Sequence, residues 1–498
     1  MVAPPVQRGD VCCFFVWISS RDRSILRQGI DVGHDADNHV CLMASVLILM
    51  AAQHEAGLAD PSVAHGVDHL HFSFETGLLA LSCLLVVSIF TEKVGLRIGI
   101  PGSIFLFFAG LFSHISGFSF ESFPLEEIHV VALSVLLFFG GLSFDRSLLR
   151  RSRQLLSSVW LAVFGTVFSM VFWFFYLRLG FGFFQASTDL LASVSPKVVS
   201  LMTVVIVTSI AVQDWNAFAF VSGKVKNFGG LLTDVFKVET AVSASIAVAV
   251  AEVAILLWMV LNPAFASEAG GELLVQIFNG IWLGAAAGLV LGFALTLVIR
   301  FLVTTSSQLI LAALAFIFAG YTFTFVVVHQ GGYLCALVMG VVTSLAYRSS
   351  STEDEMEFLS KSLESVNIAS EAILFFVVGC GLDAAAFFSH LPIALYAWIG
   401  VIAARPVCVA LFFRGDHVPA GEKFLLGLFS PKGAISMALV VTAPAMLEET
   451  FGLDVSGLLP VSSFNFMADV VCGVVVISMV FKSLYVPLLH RRLVATEQ

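Results

Sequence analysis

The sequence predicts an all-α integral membrane protein of about thirteen transmembrane helices. Three observations carry that prediction. First, 58% of the 498 residues are hydrophobic and only 12% are charged, with a mean hydropathy of +0.97. Soluble domains carry roughly 25% charged residues, so the solvent for most of this chain must be lipid. Second, the apolar residues fall in runs of the length, about 20 residues, that a helix needs to cross a bilayer. Third, basic residues collect in alternate loops between those runs.

In chain order the expected spans are 76–94, 101–118, 126–144, 156–178, 198–220, 233–260, 275–303, 307–327, 330–347, 366–388, 390–413, 422–446 and 468–487. The 48 phenylalanines suit lipid-facing helices. Connections between spans are short and leave no room for a soluble domain.

The loops give the orientation. Lys93 and Arg97 follow the first span, and Arg146, Arg150, Arg151 and Arg153 the third. Lys224 and Lys226 follow the fifth, Arg300 the seventh, Arg348 the ninth, Arg414 and Lys423 the eleventh, and Arg491 and Arg492 the last. The opposite loops carry Glu121, Glu126 and Glu127, then Glu268 and Glu272, then Glu448, Glu449 and Asp454. Positive-inside alternation therefore places the N-terminus outside and the C-terminus in the cytoplasm, with an odd number of spans. The plasma (inner) membrane is the expected location.

The chain divides into a polar N-terminal extension, 1–75, a membrane domain, 76–490, and a short cytoplasmic tail, 491–498. Within the extension, 40–52 is too brief to span and has the apolar core of a secretion signal. His54, His65, His69 and His71 are scattered enough to be read as solvated rather than metal-binding. The eight cysteines, Cys12, Cys13, Cys41, Cys83, Cys335, Cys380, Cys408 and Cys472, show no ligand or redox spacing and read as inert, mostly buried thiols. Nothing in the composition points to nucleic acid. No catalytic triad, phosphate loop or metal motif is present, so an enzyme is not expected and no cofactor is implied.

Ionisable groups in hydrocarbon cost roughly 3 kcal/mol or more each, and so need a partner or a function. The fifth span carries Gln213, Asp214 and Asn216. The sixth carries Glu239, Ser243, Ser245 and Glu252, with Asp234 and Lys237 near its start. Asn367, Ser370 and Glu371 lie in the tenth, Arg405-Pro406 in the eleventh, and Ser430-Pro431-Lys432-Gly433 in the twelfth. Pro431 and Gly433 mark a helix break, and Gln213-Asp214 marks another in the opposite half of the chain. Two broken helices meeting at mid-membrane are a signature of transporters built from inverted repeats. A carboxylate at such a crossing holds either a cation or a proton, and that competition is enough for exchange. Arg405 needs a buried carboxylate, for which Glu239 and Glu371 are the candidates. Lys432 is read as neutralising helix C-terminal dipoles or a carboxylate, Glu371 as a funnel or gating residue, and Glu252 as a group near water at its helix end.

Several of these residues fall in a familiar order. Leu96-Arg97-Ile98-Gly99-Ile100-Pro101, Leu137-Phe138-Phe139-Gly140-Gly141-Leu142, Gln213-Asp214, Gly331-Gly332-Tyr333-Leu334 with Gly340, Ser370-Glu371 with Phe375 and Gly379, Arg405-Pro406, and Pro431-Lys432-Gly433-Ala434 resemble successive elements of the monovalent cation/proton antiporter superfamily, in its sodium/proton exchanger branch, over roughly 76 to 490. The resemblance implies the sodium/proton antiporter fold: two inverted repeats of about six helices, crossed discontinuous helices, and a core bundle moving against a panel that dimerises. It also implies exchange of sodium or potassium for protons by alternating access, a homodimer, and a structural pair between Glu239 and Arg405.

The chain departs from that pattern in the sixth helix. Glu239-Thr240 matches, but the family's ion-binding asparagine-aspartate pair falls on Ser243 and Ala244. Three outcomes stay open. Exchange continues on Asp214 with Gln213 and Ser243 oxygens; or the chain moves another solute or works as a uniporter or sensor without proton coupling; or it is an inactive scaffold. The first is the reading taken forward, with Asp214, Gln213 and Ser243 binding ion and proton and Glu239, Arg405, Glu371 and Lys432 as the supporting charge network.

Overall fold

The computed structural model describes residues 74–113, 125–144, 152–184, 191, 193–224, 230–261, 270–328, 331–348, 353–413, 420–445, 447–448 and 461–497. The signal-like stretch 40–52 and the histidines at 54–71 lie outside these. Every regular element among the described residues is helical, as a backbone in lipid requires: a helix satisfies its own N–H and C=O groups without water.

The helices are α1 (Phe74–Ile98), α2 (Gly102–Leu111) and α3 (Leu125–Leu142). Next comes α4 (Ser152–Trp160, continuing through a π turn at Leu161–Gly165 into Thr166–Phe184). The fifth is broken into α5a (Pro196–Ala211) and α5b (Trp215–Gly223). Then follow α6 (Gly230–Leu261), α7 (Gly270–Leu302), α8 (Ser306–Val328), α9 (Gly332–Arg348), α10 (Glu353–Cys380) and α11 (Ala384–Phe412). The twelfth is broken into α12a (Ala420–Leu428) and α12b (Ala434–Ala445), and α13 (Val461–Glu497) closes the chain. Helices at 155–184, 278–302, 306–327, 361–380, 384–412 and 461–490 are each long and apolar enough to cross a bilayer, and the α5 pair together makes a seventh. Shorter apolar helices accompany them, Gly102–Leu111 and Gly332–Tyr347 among these. Phe175, Phe183, Phe278, Trp282, Phe301 and Val326 stand more than half exposed, an apolar surface that only lipid or a partner can cover.

The tenth, eleventh and last helices differ in their bounds from the sequence reading. The tenth span, expected at 366–388, begins at Glu353 and ends at Cys380, and α11 begins at Ala384. The Asp383 carboxylate accepts the Ala386 N–H at 2.9 Å, an N-cap that starts the next helix. Apolar residues lie on both sides of that cap, so averaged hydropathy passes over it. The last helix runs on through residues 491–497 rather than stopping near 487.

Contacts sort the helices into two groups. One holds α1, α2, α3 and α7 to α10; the other holds α4, α5, α6, α11, α12 and α13. The chain thus passes through the same sequence twice, three helices of one group and then three of the other, with α7 between the passes. Matching close approaches show the repetition. A Cβ on Gly110 of α2 would lie 2.2 Å from the Phe376 carbonyl oxygen of α10, and one on Gly340 of α9 would lie 2.1 Å from that of Phe138 in α3. Reciprocally, Gly379 of α10 abuts Phe107 and Gly141 of α3 abuts Leu337, each at 2.2 Å. Small residues that let backbones touch are what hold helices together where lipid removes the hydrophobic drive. The fold is two inverted repeats with two broken helices, and its main core surrounds α5a, α12b and α13.

Candidate functional site

The breaks in α5 and α12 meet. After Ala211 the chain runs extended through Val212, and α5b leaves at 44° to α5a. The Asp214 N–H, which has no partner within its own helix, donates to the Pro431 carbonyl of the other break at 3.0 Å. Asp214 is the N-cap of α5b: Oδ1 accepts the N–H groups of Asn216 at 2.8 Å and Ala217 at 3.2 Å. Its Oδ2 accepts the N–H of Ile435, in the first turn of α12b, at 3.3 Å. One carboxylate therefore serves the N-terminal ends of two half-helices, where their dipoles favour negative charge.

The C-terminal ends carry cations. Lys432 Nζ donates to the carbonyls of Ala211 at 3.3 Å and Val212 at 3.1 Å, closing α5a. Arg405 Nε donates to the Leu426 carbonyl of α12a at 3.2 Å. Each half-helix end thus faces the charge its dipole favours. Of the two carboxylates the sequence offers Arg405, Glu239 is the partner. Its oxygens take both guanidinium ends, with Nη2 to Oε2 at 2.6 Å, and both side chains are buried. This fork-to-fork geometry is the strong form of the pair. Glu371, on α10, takes no part in this pair.

Of the other expected binding residues, Gln213 lines the pocket beside Asp214 and Ser243 supports it from behind. The Gln213 N–H donates to Ser243 Oγ at 3.2 Å, and the Ser430 hydroxyl donates to Gln213 Oε1 at 3.1 Å. Ser243 therefore ties α6 to the α5 break. A small pocket opens on Asp214 between the two helix groups, lined by Leu136, Gly140 and Leu337 on one side and Asp214, Asn216 and Thr240 on the other. An ionised carboxylate has about four acceptor positions, and three N–H groups use three of those on Asp214. What remains can take one proton or coordinate one hard cation. Among the described residues no group of three or more His, Cys, Asp or Glu is placed to hold a metal ion.

Some polar pairs were not anticipated. Asn216 and Asn367 exchange amide hydrogen bonds between α5b and α10, at 2.7 and 3.4 Å. His390 Nδ1 lies 2.8 Å from Asp469 Oδ2 between α11 and α13, and the buried Lys482 donates to Ser478 Oγ at 2.5 Å. The available signal was the presence of Asp469 and Lys482 within an apolar span.

Residues 80–491 match the family described as sodium/hydrogen exchanger, transmembrane. Two solved structures of the sodium proton antiporter MjNhaP1 from Methanocaldococcus jannaschii share the fold. One, at pH 8, has a TM-score of 0.66 and 17% identity, covering 84% of this chain and 99% of that one. The other has a TM-score of 0.64 and 16% identity, covering 84% and 98%. No curated protein matches the sequence. With a family match over most of its length, this integral membrane chain belongs to the sodium/hydrogen exchanger family.

Proposed function

We propose that the chain is a secondary transporter exchanging sodium or potassium for protons by alternating access, with Asp214 as the shared binding group. The carrying observation is that Asp214 sits where two broken helices cross, with three N–H donors on its carboxylate and a pocket beside it between the two helix groups. Cation and proton compete for the same oxygen atoms, so loading one requires release of the other. The group of α4, α5, α6, α11, α12 and α13 moves as a core against the rest, carrying Asp214 from one side to the other. Gln213 and Ser243 hold the α5 break in shape, while Glu239, Arg405 and Lys432 balance the half-helix ends.

In this reading the chain crosses the plasma membrane about thirteen times, with its N-terminus outside and C-terminus in the cytoplasm, works as a homodimer and contributes to pH homeostasis. The likeness in fold to MjNhaP1, a sodium proton antiporter, and the family match support it. The replacement of the ion-site pair by Ser243 and Ala244 favours one rival, a degenerate family member that transports another solute or works as a non-coupled transporter or sensor.

The test is proton flux in liposomes holding the purified protein. Sodium, lithium or potassium steps should drive proton movement in the native chain, and Asp214→Asn should abolish it. Asparagine still caps α5b, but its amide nitrogen cannot accept the Ile435 N–H. An unfolding temperature therefore accompanies the flux measurement to show that the fold is kept. Silence of the native chain with all three cations would overturn the exchanger and leave the readings without proton coupling.

A further inference from the structure

The α6 side of the site offers no second carboxylate, because Ser243 holds the Gln213 N–H and residue 244 is alanine. A carboxylate does approach on α10. The reciprocal amide bonds between Asn216 and Asn367 press one face of α10 against the first turn of α5b. Ser370 and Glu371 stand three and four residues beyond Asn367, so they share that face. Glu371 is partly buried, lies beside Asn216 and Ser103, and is within electrostatic range of Asp214. No basic side chain forms an ion pair with it among the described residues.

A second observation is independent of charge. The hydroxyl of Ser370, 1% exposed, is buried without a hydrogen-bond partner. Buried polar groups are normally satisfied. That idle hydroxyl, with the Ser103 hydroxyl and the Asn216 side chain that meet the Glu371 carboxylate, supplies oxygen donors of the kind a hard cation takes.

We propose that Glu371 is a second cation-binding carboxylate of this chain, acting with Asp214 across the seam between α5b and α10, with Asn216, Ser103 and Ser370 as neutral oxygen donors. The proposal rests on the exchange reading above and extends it. When both carboxyls are protonated, an arriving cation displaces both protons, giving two carboxylates, one bound cation and two protons released. Exchange on such a site moves unequal charge, whereas Asp214 alone would swap one for one. The ionisable groups that face Glu371 are Asp214 from α5 and Glu92 from α1. Among its neighbours, α2 and α12b carry none, α8 carries Tyr321, α3 carries Glu126, Glu127 and His129 in its first turns, and α10 itself carries Glu353, Asp354, Glu355, Glu357, Lys361, Glu364 and Cys380.

The experiment counts protons released per cation bound by the purified full chain, in weakly buffered detergent solution, with sodium, lithium or potassium chloride across a pH series. The native chain should reach a maximum clearly above one. Glu371→Gln should lower that maximum to one and raise the half-saturating cation concentration about tenfold, as loss of a nearby opposite charge does, with elution and thermal unfolding unchanged. A native maximum of one or less overturns the role of Glu371 and leaves exchange on Asp214 standing, and so does a Glu371→Gln protein that behaves as the native one. If Glu371→Gln does not fold, the native count decides alone. A native chain that neither binds a cation nor releases protons, and shows no flux in liposomes, sinks the exchanger reading and this inference with it.

Discussion

Lys432 lies over the open end of α5a with its ammonium 3.1 Å from the Val212 carbonyl oxygen, so the cation of one broken helix closes the other. The same ammonium also reaches the carbonyl of Ala211. Hydrogen bonds to charged groups contribute about 1.5–3 kcal/mol, and without this one two carbonyls at mid-membrane lose their donor. Lys432→Met should therefore lower stability by roughly 2 kcal/mol, read as a lower unfolding temperature in detergent. Lys432→Arg should stay near the native value, because a guanidinium supplies donors to the same carbonyls. Equal stability for Met and Arg would mean that the ammonium does not support the break.

The Glu239–Arg405 pair should show its worth only when one partner is left behind. Arg405→Met strands a buried carboxylate, and breaking a buried pair from one side costs about 3–5 kcal/mol. Glu239→Leu combined with Arg405→Met removes both charges, and much of that loss should return, although the Leu426 carbonyl still loses its donor. Unfolding temperatures of the two singles and the double complete the cycle. A double variant as unstable as the sum of the singles would show that the two side chains are not coupled.

The residues differ in how much of this they disclosed. Pro431 and Gly433 declare the α12 break because neither suits a helix interior, and Gln213-Asp214 declares the α5 break because an amide and a carboxylate do not sit in hydrocarbon without cause. Arg405 announced the need for a carboxylate but not which one, since Glu239 and Glu371 were equally buried on paper. Distance in sequence says nothing about which helix faces which. The Asn216–Asn367 bonds and the His390–Asp469 pair were hidden for the same reason: each joins segments far apart in the chain. The role of Ser243 was hidden differently. Its hydroxyl serves a backbone N–H exposed by the α5 break, a partner that no side-chain pattern reveals.

The repeated glycine crossings predict a matched pair of effects. An alanine at Gly340 puts its Cβ 2.1 Å from the Phe138 carbonyl oxygen, and one at Gly110 puts it 2.2 Å from that of Phe376. The obstacle is backbone in both cases, so the helices must separate. Overpacking of this kind costs typically about 1–3 kcal/mol, and both variants should unfold at lower temperature by similar amounts. Gly182→Ala, where a Cβ meets nothing within 4 Å, is the control and should be neutral or slightly stabilising. If Gly110→Ala is silent while Gly340→Ala is damaging, the two crossings are not equivalent.

Gly433→Ala attacks the site itself rather than the scaffold. Its Cβ would fall 2.6 Å from both Cγ and Oδ2 of Asp214, too close for either side to stay in place. What gives way is the carboxylate, because the α12 break is held by the Asp214 N–H bond to Pro431 and by Lys432 on α5a. Moving it breaks the bonds from Asn216, Ala217 and Ile435 that aim its free acceptor position. Exchange should fall on the order of ten- to a hundredfold, the scale of a misplacement near 1 Å, and the half-saturating cation concentration should rise. Unfolding should shift less than for Gly340→Ala, since a side chain yields more easily than a helix backbone. Gly427→Ala, whose Cβ would approach only Pro406, at 3.3 Å, should keep native exchange. Flux assays on the three variants separate the cases. Native rates in Gly433→Ala would mean that the position of Asp214 does not matter, which no mechanism with this carboxylate at its centre can accommodate.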